Sequence, residues 1–220
     1  LRYRIDPSLS IPSTLISKEI QSNTAPIVLD HIQERIAKGI GEGHRLLRGI
    51  AGSGKTLIML YRAKLLCRLN PEWNILFICW NRSLINYLEQ VFKSIKMEVS
   101  SQNVQFVYFS SWIKEISKTQ NIELPQMGND KESQVKYERE YTLAIKRLLD
   151  SSPTKNYQAI MIDEGQDFKD DYYRLLLHHL DSKTNSLLIC YDLAQNLYDR
   201  TTSWKELGIS IYGGRTLTLG

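Results

Sequence analysis

Gly49-Ile50-Ala51-Gly52-Ser53-Gly54-Lys55-Thr56 fits the pattern G-x-x-x-x-G-K-[ST] at every fixed position. Glycines at this spacing let the backbone curl until successive N–H groups point inward at phosphate oxygens. Lys55 adds a point charge for the β and γ phosphates, and the Thr56 hydroxyl falls where a helix begins, placed to ligate Mg²⁺. Such a loop has to join a strand to a helix. Arg45–Arg48 holds the apolar pair Leu46 and Leu47, and Leu57–Leu69 is strongly apolar with helical character, so both flanks qualify. Gly52, Ser53, Gly54, Lys55 and Thr56 are therefore the expected contacts of a nucleoside triphosphate.

Working outward, apolar runs of strand length alternate with helical patterns. Asn74–Trp80 (NILFICW), Val104–Phe109, Tyr157–Ile162 (YQAIMI) and Ser186–Tyr191 (SLLICY) read as strands, the continuous runs being those of strands covered on both faces. Between them the sequence predicts helices over Thr56–Asn70, stopped by Pro71, Arg82–Lys96, Trp112–Lys118 capped by Ser110-Ser111, and Asp170–Leu180. Upstream, Asp30 and Gln33 have capping-box spacing, with Ile32, Ile36 and Ile40 on one helical face. The expectation is an α/β fold of the phosphate-loop NTPase class, a mostly parallel sheet with helices on both faces.

Residues 1–25 read as an irregular arm or linker, and residues 26–220 as one ATP-binding domain. A small helical insertion is expected over about 119–150: a loop, then a charged helix from Glu132 to Asp150 with Val135, Leu143, Leu148 and Leu149 as its apolar side. Composition is that of an ordinary globular chain, 42% hydrophobic and 24% charged with a net charge of +4 over 220 residues, which permits an anionic partner without requiring one. Cys67, Cys79 and Cys190 have no C-x-x-C spacing, and no apolar run reaches 18 residues. A reducing, cytoplasmic setting without a membrane span is expected. The start at Leu1 and the stop at Gly220 suggest a piece excised from a longer protein.

Asp163-Glu164-Gly165-Gln166-Asp167 follows directly on an apolar strand, so its carboxylates emerge at the carboxyl end of the sheet, where such folds bind ligands. Asp163 is expected to hold Mg²⁺ and Glu164 to orient and deprotonate the attacking water. Asp192 and Gln195 leave the next strand three residues apart, and Gln195 has the donor and acceptor to read both water and a phosphate oxygen. A carboxamide at Gln33 suits an adenine edge for the same reason.

Taken in order, Gln33, GIAGSGKT, WNR, YFSSW, IDEGQD and YDLAQNLY resemble the UvrD/Rep-type superfamily 1 helicases, over about Asp30 to Tyr198. The resemblance implies a RecA-like ATPase domain with ATP and Mg²⁺ as cofactors. It further implies Lys55, Glu164 and Gln195 as catalytic groups, Gln166 and Asp192 in coupling, and Trp80, Asn81, Arg82, Ser110, Ser111 and Trp112 facing single-stranded DNA. RNA is the alternative track, and an ATPase that senses nucleic acid without unwinding it is the alternative function. The chain departs from the family pattern at Leu57, at Tyr191 and in placing its aromatic at Trp80, one position late. The short insertion implies a compact helicase, like those fused to nuclease-related domains. A second RecA-like domain, which the family uses to complete hydrolysis, is absent from the chain and is the expected intramolecular partner.

Overall fold

The computed structural model describes residues 31–95, 103–126, 130–192 and 203–219. Among the described residues six strands form one sheet: β1 (His44–Gly49), β2 (Ile75–Cys79), β3 (Val104–Tyr108), β4 (Ala159–Ile162), β5 (Ser186–Asp192) and β6 (Thr216–Leu219), in the order β3-β2-β4-β5-β1-β6. Every pairing is parallel. The helices are α1 (His31–Gly39), α2 (Lys55–Leu69), α3 (Arg82–Ser94), α4 (Phe109–Thr119), α5 (Lys131–Asp150) and α6 (Asp170–His178). The expected α/β architecture is the observed one, with β6 added as a second parallel neighbour of β1.

Strand alternation divides the core in two. Ile75, Phe77 and Cys79 of β2 pack with Ile58 and Met59 of α2, Ala37 and Ile40 of α1, and Leu88 and Phe92 of α3. Leu76 and Ile78 turn the other way, toward α4, α5, α6 and the segment carrying Leu207, Ile209 and Ile211. β2 and β4 are buried at every position because they lie inside the sheet and are covered on both faces. Helix α2 is central to its layer, which explains why even Arg62 and Lys64 are buried along with its apolar residues; the Lys64 ammonium lies 4.7 Å from the centre of the Phe92 ring. α3 presents Ile85, Leu88, Val91 and Phe92 inward at helical spacing, and Asn81 caps it by accepting from the N–H groups of Ser83 and Leu84 at 2.9 and 3.2 Å.

Three local expectations are corrected. α4 begins at Phe109, directly on the end of β3, so Ser110 and Ser111 lie inside its first turn and do not cap it. In α5 the inward residues are Ala144, Ile145 and Leu148, while Val135 is 70% and Leu143 45% exposed. The helix is capped by Asp130, which accepts from Ser133 N at 2.8 Å, and its stripe runs Tyr141, Ile145, Leu148, two residues out of phase with Leu143. Of the face expected on α1, Ile32 alone is exposed, while Ile36 packs against the core and Ile40, just past the helix end, is buried with Ala37. Asp30 and the arm before it lie outside the described residues. Among the described residues no helix is long and apolar enough to cross a membrane.

The segment leading to β6 is pinned to the start of β1. The buried His44 ring meets Asn185 Oδ1 through Nε2 at 2.8 Å, and Ser210 N–H donates to its Nδ1 at 3.0 Å. An Nδ1 that accepts cannot carry a proton, so this arrangement needs the neutral ring. Burial, and less strongly Arg215, lower the His44 pKa from the usual 6.5 against the raising effect of Asn185. The stabilisation is therefore complete above about pH 6.5 and lost as pH falls below it. Thermal melts between about pH 7.5 and pH 5 should show a steeper loss of Tm for the wild type than for His44→Gln; parallel slopes would remove this role. Leu148→Ala should cost about 2–5 kcal/mol in denaturant unfolding, whereas Leu143→Ala should stay within about 1 kcal/mol.

Candidate functional site

The loop between Gly49 and Lys55 is shaped by two glycines in the left-handed region, Gly52 and Gly54, with φ of 80° and 83°. That conformation turns backbone N–H groups inward and costs an L-residue strain. A Cβ at Gly54 would also meet the end of the Gln33 side chain at Nε2, which would have to swing aside. The carboxamide of α1 is thereby brought against the loop. Lys55 is buried and folded back over the turn, its Nζ donating to Gly49 O at 2.9 Å and Ile50 O at 2.8 Å. At the next position the Thr56 hydroxyl donates to Asp163 Oδ2 at 2.9 Å.

Asp163 directly follows β4 and is 1% exposed. Burial, and then the neighbouring Glu164, push its carboxyl up to about 6, against the hydrogen bonds from Thr56 and from Glu164 N–H and the charge of Lys55. Glu164 adopts φ 51°, ψ 49°, left-handed for a non-glycine residue, and this turns the chain sharply into a short 3₁₀ turn over Gly165–Asp167. Gln166 holds the turn at both ends of its carboxamide. Its Nε2 donates to Glu164 Oε2 at 2.6 Å, and its Oε1 accepts from the backbone N–H of Asp192 at 3.0 Å. Gly165 is in close quarters: a Cβ would press on Ile189 Cγ2, on Tyr173 Oη and on the Cys190 carbonyl, and Tyr173 Oη donates to Gly165 O at 2.7 Å.

Sheet register completes the site. Asp192, the last residue of β5, lies opposite Gly49, so its carboxylate is set beside the phosphate-type loop. A cleft of about 350 Å³ is bordered by Lys55, Thr56, Glu164 and Asp192, with Tyr87 of α3 forming part of its outer wall. Among the described residues no group of three or more His, Cys, Asp or Glu side chains gathers as a metal cage. One hydroxyl and one carboxylate, Thr56 and Asp163, are instead the donor set that suits Mg²⁺, which keeps several waters and takes substrate phosphates as ligands. The inward N–H groups, the lysine and this pair suit a triphosphate tail.

The outer residues are distributed less uniformly. Trp80 is 38% exposed at the end of β2, with Asn81 and Arg82 exposed beside it and Ser111 exposed on α4. Ser110 is half-buried. Trp112 is the correction: it is 0% exposed, packed in the core with its indole N–H donating to Tyr157 Oη at 3.4 Å, so it presents nothing to a strand. Gln195 lies outside the described residues. Tyr87, Phe168 and Tyr173 escaped the sequence reading, since each is one aromatic residue in an amphipathic pattern that signals only burial.

The chain matches the family model for the type III restriction enzyme, res subunit, over residues 18–188. It belongs to that family. Among solved structures this res-family chain is similar to the UvsW helicase from bacteriophage T4, with a TM-score of 0.54 and 13% identity over 94% of this chain and 67% of that one. Similarity also extends to the Hef helicase domain of Pyrococcus furiosus (TM-score 0.48, 14% identity, 91% of this chain and 39% of that one). For the Pif1 helicase of Candida albicans the values are 0.45, 16%, 88% and 39%. No curated protein matches. The res-family chain is an ATP-dependent motor domain of the helicase type, and the UvsW likeness shows the RecA-like fold.

Gly165→Ala should lower stability by about 1–3 kcal/mol in denaturant unfolding, because two of the three atoms a Cβ would meet belong to the sheet and cannot swing aside. A variant as stable as the wild type would show that the turn has room.

Proposed function

We propose that this domain couples ATP hydrolysis to movement on single-stranded DNA, as a UvrD/Rep-type motor working in the cytoplasm. The observation that carries the reading is the Thr56–Asp163 hydrogen bond, which joins the loop to the acid turn with Glu164 in the same cleft. The UvrD/Rep type is supported by the D-E-x-Q-D order, in which Gln166 ties Glu164 to the end of β5.

On this reading Lys55 leaves the Gly49 and Ile50 carbonyls and donates to the β and γ phosphates, and Gln33 reads the adenine edge. Thr56 and Asp163 would hold Mg²⁺, which screens phosphate charge when bound. Glu164 accepts the proton of the attacking water, which requires its carboxylate to exchange the Gln166 amide for that water. Gln166, Asp192 and Gln195 report the state of the terminal phosphate. Trp80, Asn81, Arg82, Ser110 and Ser111 face the strand, the ring stacking on bases and the polar groups contacting phosphates. A second RecA-like domain supplies the cations that neutralise developing charge.

Lys55→Ala should weaken Mg-ATP binding in calorimetry by roughly ten- to hundredfold, since a hydrogen bond to a charged group contributes about 1.5–3 kcal/mol. Glu164→Gln should retain ATP affinity and lower kcat of the intact protein by about 10²- to 10⁴-fold. Strand-displacement and single-strand-stimulated ATPase assays on the intact protein test the motor: ATPase that ignores every single strand would sink the reading.

A further inference from the structure

Trp80 is built into a cluster with a definite inner and outer side. Its ring centre lies 5.3 Å from Phe109 at 27° and 5.7 Å from Tyr172 at 18°, so both partners are stacked on it. Phe109 and Tyr172 are themselves only 4.6 Å apart. Two rings that close together cannot flank the indole from opposite faces, since that would separate them by roughly twice the stacking distance. Both therefore lie to one side of the indole, which remains 38% exposed. Phe168 meets the indole differently, at 5.9 Å and 75°, edge against ring.

Phe168 is also part of the acid turn. It follows Asp167 directly, and its N–H donates to Gly165 O at 3.2 Å, the same carbonyl that accepts from Tyr173 Oη. Its ring contacts Tyr173 as well, at 5.9 Å. One buried side chain thus touches the exposed aromatic at the tip of β2 and, through its own backbone, closes the turn that holds Glu164 in the left-handed conformation. Gly165 is packed closely against Ile189, Tyr173 and the Cys190 carbonyl, so a shift of Phe168 reaches Glu164 as a change in that turn.

We propose that Phe168 is a positioning residue that transmits the stacking of a nucleic-acid base on Trp80 to Glu164. This rests on the single-strand motor reading given above. A base stacking on the exposed indole shifts it against Phe168, and the 3₁₀ turn responds by altering the Gln166–Glu164 contact. Trp80 senses the strand, Phe168 passes the shift on, and Glu164 is the group whose position changes.

The test uses the intact protein, Mg-ATP and an oligo-dT strand, reading ATPase and tryptophan fluorescence together. Phe168→Leu should lower the ratio of strand-stimulated to basal kcat about 3- to 30-fold, while the oligo-dT concentration for half-maximal fluorescence change stays as in the wild type. Phe168→Met, whose flexible side chain fills irregular gaps, should behave the same way if the leucine variant folds poorly. Trp80→Ala should instead abolish the fluorescence change and weaken oligo-dT binding. Equal stimulation in wild type and both Phe168 variants overturns the relay and leaves the motor reading standing. A Phe168 variant that loses basal and stimulated rates in the same proportion also overturns it, because that is the signature of a structural role. A wild type indifferent to oligo-dT overturns the motor reading and the relay with it.

Discussion

The hydrogen bond from Thr56 to Asp163 is the constraint on which the site depends, because it joins groups that the sheet does not make neighbours. β1 delivers the loop and β4 the acid turn, and β5 lies between them. The two can meet only above the end of β5, which is why Asp192, lying opposite Gly49, and Gln166, bonded to the Asp192 N–H, fall in the same few ångströms. A shift of β5 along its neighbours would separate the loop from the carboxylates. The two-sided burial of β2, β4 and β5 opposes such a slip, since every residue moved would exchange one core for the other.

The same arrangement sets an electrostatic tension. A carboxylate as buried as Asp163 is costly, and its raised pKa expresses that cost. Thr56, the Glu164 N–H and the nearby Lys55 offset part of it, and a divalent cation would offset more. Strain in the Glu164 backbone belongs to the same design: the left-handed turn sets the Glu164 residue at the cleft directly after the buried Asp163 that bonds Thr56.

Much of this was legible in the sequence because it is written in local spacing. The glycine-lysine-threonine loop, the D-E-x-Q-D turn and the uninterrupted apolar strands are each contained in a few residues. What was not legible depends on direction or distant partners. Trp112 and Trp80 are chemically identical, and only packing sends one into the core and leaves the other at the rim. Val135 and Leu143 lie on the exposed side of α5 because Tyr141, Ile145 and Leu148 give a longer contact with the core. β6 is four residues of alternating Thr and Leu, whose strand character comes from pairing with β1 and not from its own composition. Gln33 at Gly54 and Tyr173 at Gly165 are contacts that no linear pattern encodes.

Lys55 folded onto its own turn has one further consequence. Its ammonium already satisfies two carbonyls, so on the proposed reading an arriving triphosphate would substitute for existing bonds instead of adding to none. Affinity for the tail would then be a difference between two well-paired arrangements. A motor that must let go of its spent fuel many times over is served by a cradle whose resting form is comfortable without it.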